Sequence, residues 1–319
     1  MDKIYRSNRQ YSALFKIASE CNDFCPFCLE YKFIKSGRPP LSFEEFKKNY
    51  YYLRKKFRPD YVILTGGEPT LHPRFFSMLD FLKRKGEAFR IITNLLKFSE
   101  SGFLERLTPI FSGFKNKKQE KWSKIIASIN NLPEKSATNR KRFAGLEKAL
   151  KFNLPLMVTT VLYRGNIKNL PVLSEKLVNL FRKFNVCLSL EFRLIYIEGT
   201  LPSLLKISVP RNFPLLKKSL EESVEILYRA NAGLTLWNFP LCYLDNPRKL
   251  ANAKIKDRYK RRLIKVHKNA QLEKAEIRNW EEYLKTNRSC GRCRLNYACA
   301  GMDKDYIDKY KYPKLRPIP

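Results

Sequence analysis

Three cysteines early in the chain, Cys21, Cys25 and Cys28, are spaced Cys-x3-Cys-x2-Cys. Thiolates this close can share one metal centre. A closed zinc site wants four ligands. Three leave two readings: a zinc loop that borrows a distant fourth ligand, or a 4Fe–4S cluster with one iron open to bind something else. Four more cysteines lie far downstream: Cys242, then Cys290, Cys293 and Cys299 spaced Cys-x2-Cys-x5-Cys. Four thiolates make a closed set, suited equally to structural zinc or to a fully ligated iron–sulfur cluster. The eighth, Cys187, sits among Val186, Leu188 and Leu190 and reads as a core residue.

Between the two sets runs Gly66-Gly67-Glu68-Pro69. Paired glycines let backbone approach a ligand without interference from a Cβ. Glu68 offers a carboxylate to an ammonium group, and Pro69 fixes the turn. His72 reads as a helix-start residue and His267 as solvated. No Ser/His/Asp arrangement, phosphate-binding Walker loop or dinucleotide fingerprint occurs, which removes the usual hydrolase, nucleotide-triphosphatase and Rossmann alternatives.

Taken together, the first cysteine set, with Phe27 before its third member, and the Gly66–Pro69 turn resemble the radical S-adenosylmethionine (radical SAM) superfamily. The resemblance covers about residues 11–225. It implies an α/β fold, a partial (β/α)6 TIM-like barrel, with a SAM-binding 4Fe–4S cluster held by Cys21, Cys25 and Cys28 at its mouth. SAM would chelate the open iron through its amino and carboxylate groups. Gly66, Gly67, Glu68 and Pro69 would hold the methionine ammonium, and Phe27 would lie near the adenine. Thr93, Asn94 and Ser128 resemble SAM-contacting positions; the family often has glycine after that asparagine, where this chain has Leu95. Arg140 reads as a solvated helix-start arginine, with the SAM carboxylate as its alternative partner.

The downstream set resembles the SPASM or shorter twitch extension of such barrels, as do Tyr306 and residues 309–317. That implies an auxiliary 4Fe–4S cluster on Cys242, Cys290, Cys293 and Cys299. The activity implied is reductive cleavage of SAM to a 5′-deoxyadenosyl radical that abstracts a substrate hydrogen, an oxidoreductase- or transferase-type reaction. The electron donor would be a flavodoxin or ferredoxin. A peptide or protein substrate leads; RNA and small-molecule cofactor assembly follow. The alternative of another class is a non-catalytic zinc-binding RNA-binding module, against which the ammonium-binding turn argues.

The elements that must position these residues alternate. Strands are expected at 13–18, 61–64, 89–93, 125–129, 156–163 and 188–196, and helices at 42–55, 75–85, 99–107, 140–151 and 170–184. Such βαβ units form either an open doubly wound sheet or an incomplete barrel, with chemistry at the C-terminal strand ends. Beyond 199 a helix at 215–230 and a strand at 234–237 are expected. Residues 248–268 hold ten Lys/Arg, and Ile255, Tyr259, Leu263 and Val266 recur there at helical spacing, so a basic amphipathic helix is expected. The domains are read as 1–229, the radical SAM core, and 230–319, the auxiliary-cluster extension.

The 319 residues are 44% hydrophobic, enough for a large core. Their 63 Lys+Arg against 30 Asp+Glu leave a net charge of +33, which favours polyanionic partners or reflects a lysine-rich compositional bias. No apolar run reaches the ~18 residues of a membrane helix, and no export signal is seen. A cytoplasmic protein without disulfides is therefore expected.

Overall fold

The computed structural model describes residues 11–195, 200, 202–245, 262–266, 277–278, 284–285, 290, 292–295, 299, 302–303, 306 and 318. Strand β1 (Tyr11–Ala18) leads through the cysteine loop to α1 (Tyr31–Lys35) and α2 (Phe43–Phe57). Then come β2 (Tyr61–Gly66), α3 (Phe75–Arg84), β3 (Phe89–Thr93), α4 (Phe103–Phe111), α5 (Lys117–Trp122), β4 (Lys124–Ser128) and α6 (Ala137–Lys151). After these follow β5 (Leu156–Leu162), α7 (Leu170–Lys183), β6 (Ser189–Leu194), α8 (Pro202–Ser208), α9 (Phe213–Arg229) and β7 (Gly233–Trp237).

Local chemistry explains the starts. Ser42 and Glu45 form a complete capping box on α2, which satisfies two orphan backbone donors reciprocally. Asn116 and Ser136 cap α5 and α6 in the same spirit.

Strands β1 to β7 are parallel and stand in sequential order. A doubly wound sheet reverses its order at a switch point; this one never does, so it is the partial barrel of the two expected architectures. Successive residues of each strand face opposite sides of the sheet. Phe15 and Ile17 of β1, Val62 and Leu64 of β2 and Ile125 and Ala127 of β4 join the main core. On the opposite face the register aligns Ser128, Thr159, Glu191 and Thr235 into one polar row across β4 to β7. At residue 230 the chain passes from α9 directly into β7, which extends the same sheet by pairing with β6.

Two expectations are corrected. Residues Arg262–Val266, read as part of a basic helix, form β8, which pairs in parallel with the free edge of β1. A strand β9 (Ile277–Arg278) adds antiparallel to it. Leu263-Ile264-Lys265-Val266 also fits a strand, and backbone pairing with the exposed edge of β1 outweighs the helical spacing. The rest of 248–268 lies outside the described residues, as does Tyr196. The second correction concerns Cys187, which is exposed, not core. It precedes β6 instead of lying within it, and its Sγ faces the Asn231 carbonyl at 3.6 Å.

Candidate radical SAM site

β1 delivers the cysteine loop to the C-terminal edge of the sheet. Cys21, Cys25 and Cys28 all line one cavity of about 680 Å³, together with Asn130, Asn139 and Arg142. A turn closed by Cys28 N–H donating to the Cys25 carbonyl at 3.0 Å brings two of the thiols near each other. Burial pushes all three thiols up, Cys28 to about 11. Left alone they stay protonated near neutral pH, so thiolates here call for a cation as partner. Among the described residues no three His, Cys, Asp or Glu side chains are gathered as the ligand set of a single metal ion. Three thiols lining one roomy cavity form a donor set that fits a 4Fe–4S cluster with one open iron.

The Gly66–Pro69 turn lies directly beneath this loop. Gly67 N–H donates to the Ala18 carbonyl and Glu68 N–H to the Glu20 carbonyl, both at 2.7 Å. Gly66 has φ +125°, and a Cβ there would lie 2.3 Å from the Ala18 oxygen; one on Gly67 would lie 2.0 Å from the Glu20 oxygen. These glycines are therefore required by the contact between turn and cysteine loop. Pro69 opens a short 3-10 turn, Pro69–Leu71.

Glu68 is 2% exposed. Its Oε1 accepts from Thr70 N–H at 3.1 Å, Thr70 Oγ1 at 2.7 Å and Thr93 Oγ1 at 2.8 Å, and its Oε2 accepts from Asn94 N–H at 2.8 Å. Burial pushes the carboxyl up, and these four donors pull the other way. Both oxygens are committed to protein donors. Asn94 carries the linkage onward: its Nδ2 donates to Asn22 Oδ1 at 2.9 Å, inside the cysteine loop. Leu95, where glycine was the family habit, has φ +64° and is fully buried. Ser128 Oγ accepts from Nδ2 of the cavity residue Asn130 at 3.0 Å. Phe27 packs on Tyr163 with ring centroids 4.8 Å apart, and Tyr163 donates to Asn131 Oδ1 at 2.9 Å.

Sequence reasoning missed Asp23 and Arg142. Arg142 is 4% exposed. It donates to Asn139 Oδ1 at 2.6 Å, to the Asn94 carbonyl at 3.2 Å and to Asp23, so it ties the cysteine loop to α6. Arg140, the arginine singled out by sequence, is exposed. The only available signal was the three-residue spacing of Asn139, Arg142 and Gly145, all buried on an otherwise basic helix.

In the downstream set Cys242 lies in the 3-10 turn Leu241–Tyr243. Leu241 N–H donates to Cys299 Sγ at 3.4 Å, which brings the two parts of the set together. Cys293 N–H closes a turn on the Cys290 carbonyl at 3.1 Å. Tyr306 is fully buried, its ring 6.1 Å from Phe213 of α9, so this segment docks on the barrel. Residues 309–317 and His267 lie outside the described residues. His72 is buried, its Nε2 at 2.9 Å from the Leu41 carbonyl. No helix among the described residues is long and apolar enough to cross a membrane.

Comparison with known proteins agrees with this fold. SuiB of Streptococcus suis bound to its precursor peptide SuiA superposes with a TM-score of 0.61 at 14% identity, covering 95% of this chain and 73% of that one. The enzyme anSMEcpe with bound AdoMet gives 0.61 at 15% identity, covering 97% and 93%. A further anSMEcpe structure, with AdoMet and the Cp18Cys peptide, gives 0.60 at 14%, covering 97% and 93%. At such identities the likeness establishes the fold. No protein of curated function matches the chain. The model of the radical SAM superfamily matches residues 15–169, the stretch from β1 through the turn before α7 that holds the first cysteine set and Gly66–Pro69. Over those residues the chain carries a domain that matches the radical SAM superfamily.

Proposed function

We propose that this chain reductively cleaves SAM and uses the resulting radical to modify a peptide or protein. The observation that carries the reading is the meeting of Cys21, Cys25 and Cys28 on one cavity, directly above the turn organised by Glu68. These thiolates would hold a 4Fe–4S cluster, which, when bound, supplies the electron that splits SAM to a 5′-deoxyadenosyl radical. Gly66, Gly67 and Pro69 shape the backbone that faces SAM, while Thr93 and Asn94 fix that backbone through Glu68. Glu68 thus serves the ligand through the turn it organises. Arg142, and not Arg140, is the arginine that lines the cavity, and Lys35 lines it as well. Phe27, on the cysteine loop, lines the same cavity, and Ser128 at the end of β4 accepts from its lining residue Asn130.

Cys242, Cys290, Cys293 and Cys299 would hold one auxiliary 4Fe–4S cluster within an extension spanning 230–319. The peptide substrate is supported by two neighbours whose structures hold SuiA and Cp18Cys peptides. A one-electron donor of flavodoxin or ferredoxin type completes the reaction.

The test is anaerobic reconstitution followed by assay of 5′-deoxyadenosine formed from SAM under dithionite. Wild type should form it, and Cys25→Ala should not. Equal rates in the two would overturn the assignment.

A further inference from the structure

Two backbone N–H groups in the downstream region point at sulfur. Leu241 N–H donates to Cys299 Sγ at 3.4 Å, and Ile318 N–H donates to Cys293 Sγ at 3.3 Å. Both donors follow a proline, Pro240 and Pro317. Proline has no N–H, so within Pro317-Ile318-Pro319 only Ile318 can donate, and it donates to sulfur. The Ile318 carbonyl accepts from Arg294 N–H at 2.9 Å, so residue 318 grips the Cys293 turn at two points. Leu241 is 1% exposed, and Ile318 packs against the main core beside Cys293 and Cys299. Both bonds are part-buried. A thiol sulfur is a weak acceptor, whereas a charge-assisted bond to an anionic acceptor is roughly twice as strong as a neutral one.

We propose that Leu241 and Ile318 are positioning residues whose N–H groups stabilise negative charge on Cys299 and Cys293 and raise the reduction potential of the cluster those sulfurs hold. The inference rests on the auxiliary-cluster reading and deepens it. Hydrogen bonds to cluster sulfurs are among the factors that set iron–sulfur potentials, because they favour the more negative, reduced form.

The experiment uses the full chain carrying Cys21→Ala, Cys25→Ala and Cys28→Ala, so that only the downstream set can hold iron. The parent is assayed first: absence of iron in it would bring down the cluster reading itself. Ile318→Pro removes the N–H and keeps the carbonyl; Ile318→Ala keeps both and trims the side chain. Leu241→Pro removes the other donor at the first position of its 3-10 turn, where the N–H is not used by the turn and proline is tolerated. An EPR-monitored redox titration should place both proline variants at a more negative potential than the parent, with Ile318→Ala unmoved. Chelator should also strip iron faster from the proline variants. Iron-loaded proline variants whose potentials match Ile318→Ala and the parent would overturn the role of these N–H groups.

Discussion

Glu68 and Asn94, 26 positions apart, join the ends of β2 and β3: Asn94 N–H donates to Glu68 Oε2 at 2.8 Å while Thr93 Oγ1 reaches Oε1. With both Thr70 donors added, the carboxylate is an internal brace. Glu68→Gln places an NH2 where donors already point, leaving buried donors unsatisfied at ~1–3 kcal/mol. The expected outcome is a lowered unfolding midpoint in apo protein by calorimetry, before any SAM is added. An unchanged midpoint would mean that the carboxylate is free to serve the ligand directly.

Gly145 of α6 faces the backbone of Leu95, and a Cβ there would lie 2.4 Å from the Leu95 oxygen. Leu95 holds a left-handed φ and is itself fully buried, so it has no room to withdraw. Gly145→Ala should cost ~1–3 kcal/mol, as overpacking does, measured by urea denaturation. A neutral effect would show that the α6 packing against residues 95–98 is loose.

Much of this was legible in the sequence because the signals were short-range. The strand Phe89–Thr93 and the helix at Phe75 follow from periodicity, and the first cysteine set from spacing alone. What escaped depends on partners distant in sequence. Arg142 looks like its basic neighbours until Asp23, 119 positions away, is brought beside it. β8 became a strand through the free edge of β1, which no local pattern reveals. The glycines were recognised, but their main contact, the backbone of Ala18 and Glu20, is a tertiary one.

The Asp23–Arg142 pair is nearly dry, with side chains 14% and 5% exposed. Removing one partner of a buried pair costs ~3–5 kcal/mol because the other charge is stranded. Asp23→Asn strands Arg142 and should destabilise the chain and slow reconstitution of the first iron site, whereas Arg140→Gln should do neither. Iron uptake, followed by the visible absorption of the reconstituted protein, and thermal melts together decide this. Equal behaviour of the two variants would remove Arg142 from the support of the cysteine loop.

His72 supplies a pH test. Arg74 N–H donates to its Nδ1 at 3.0 Å, which leaves Nε2–H to donate to the Leu41 carbonyl at 2.9 Å, the neutral tautomer. Burial pushes its pKa down, and the Leu41 hydrogen bond opposes this. The folded state thus binds a proton less readily than the unfolded chain, where histidine titrates at ~6.5. Its contribution is therefore fully present above about pH 6.5 and is lost as pH falls from there through the lower folded-state value. His72→Gln can offer the same acceptor and donor without titrating. Between pH 7.5 and pH 5.5, values chosen roughly one unit either side of that pKa, the unfolding midpoint should fall further in wild type than in His72→Gln. Parallel curves for the two proteins would show that His72 keeps an ordinary affinity for protons in the folded chain.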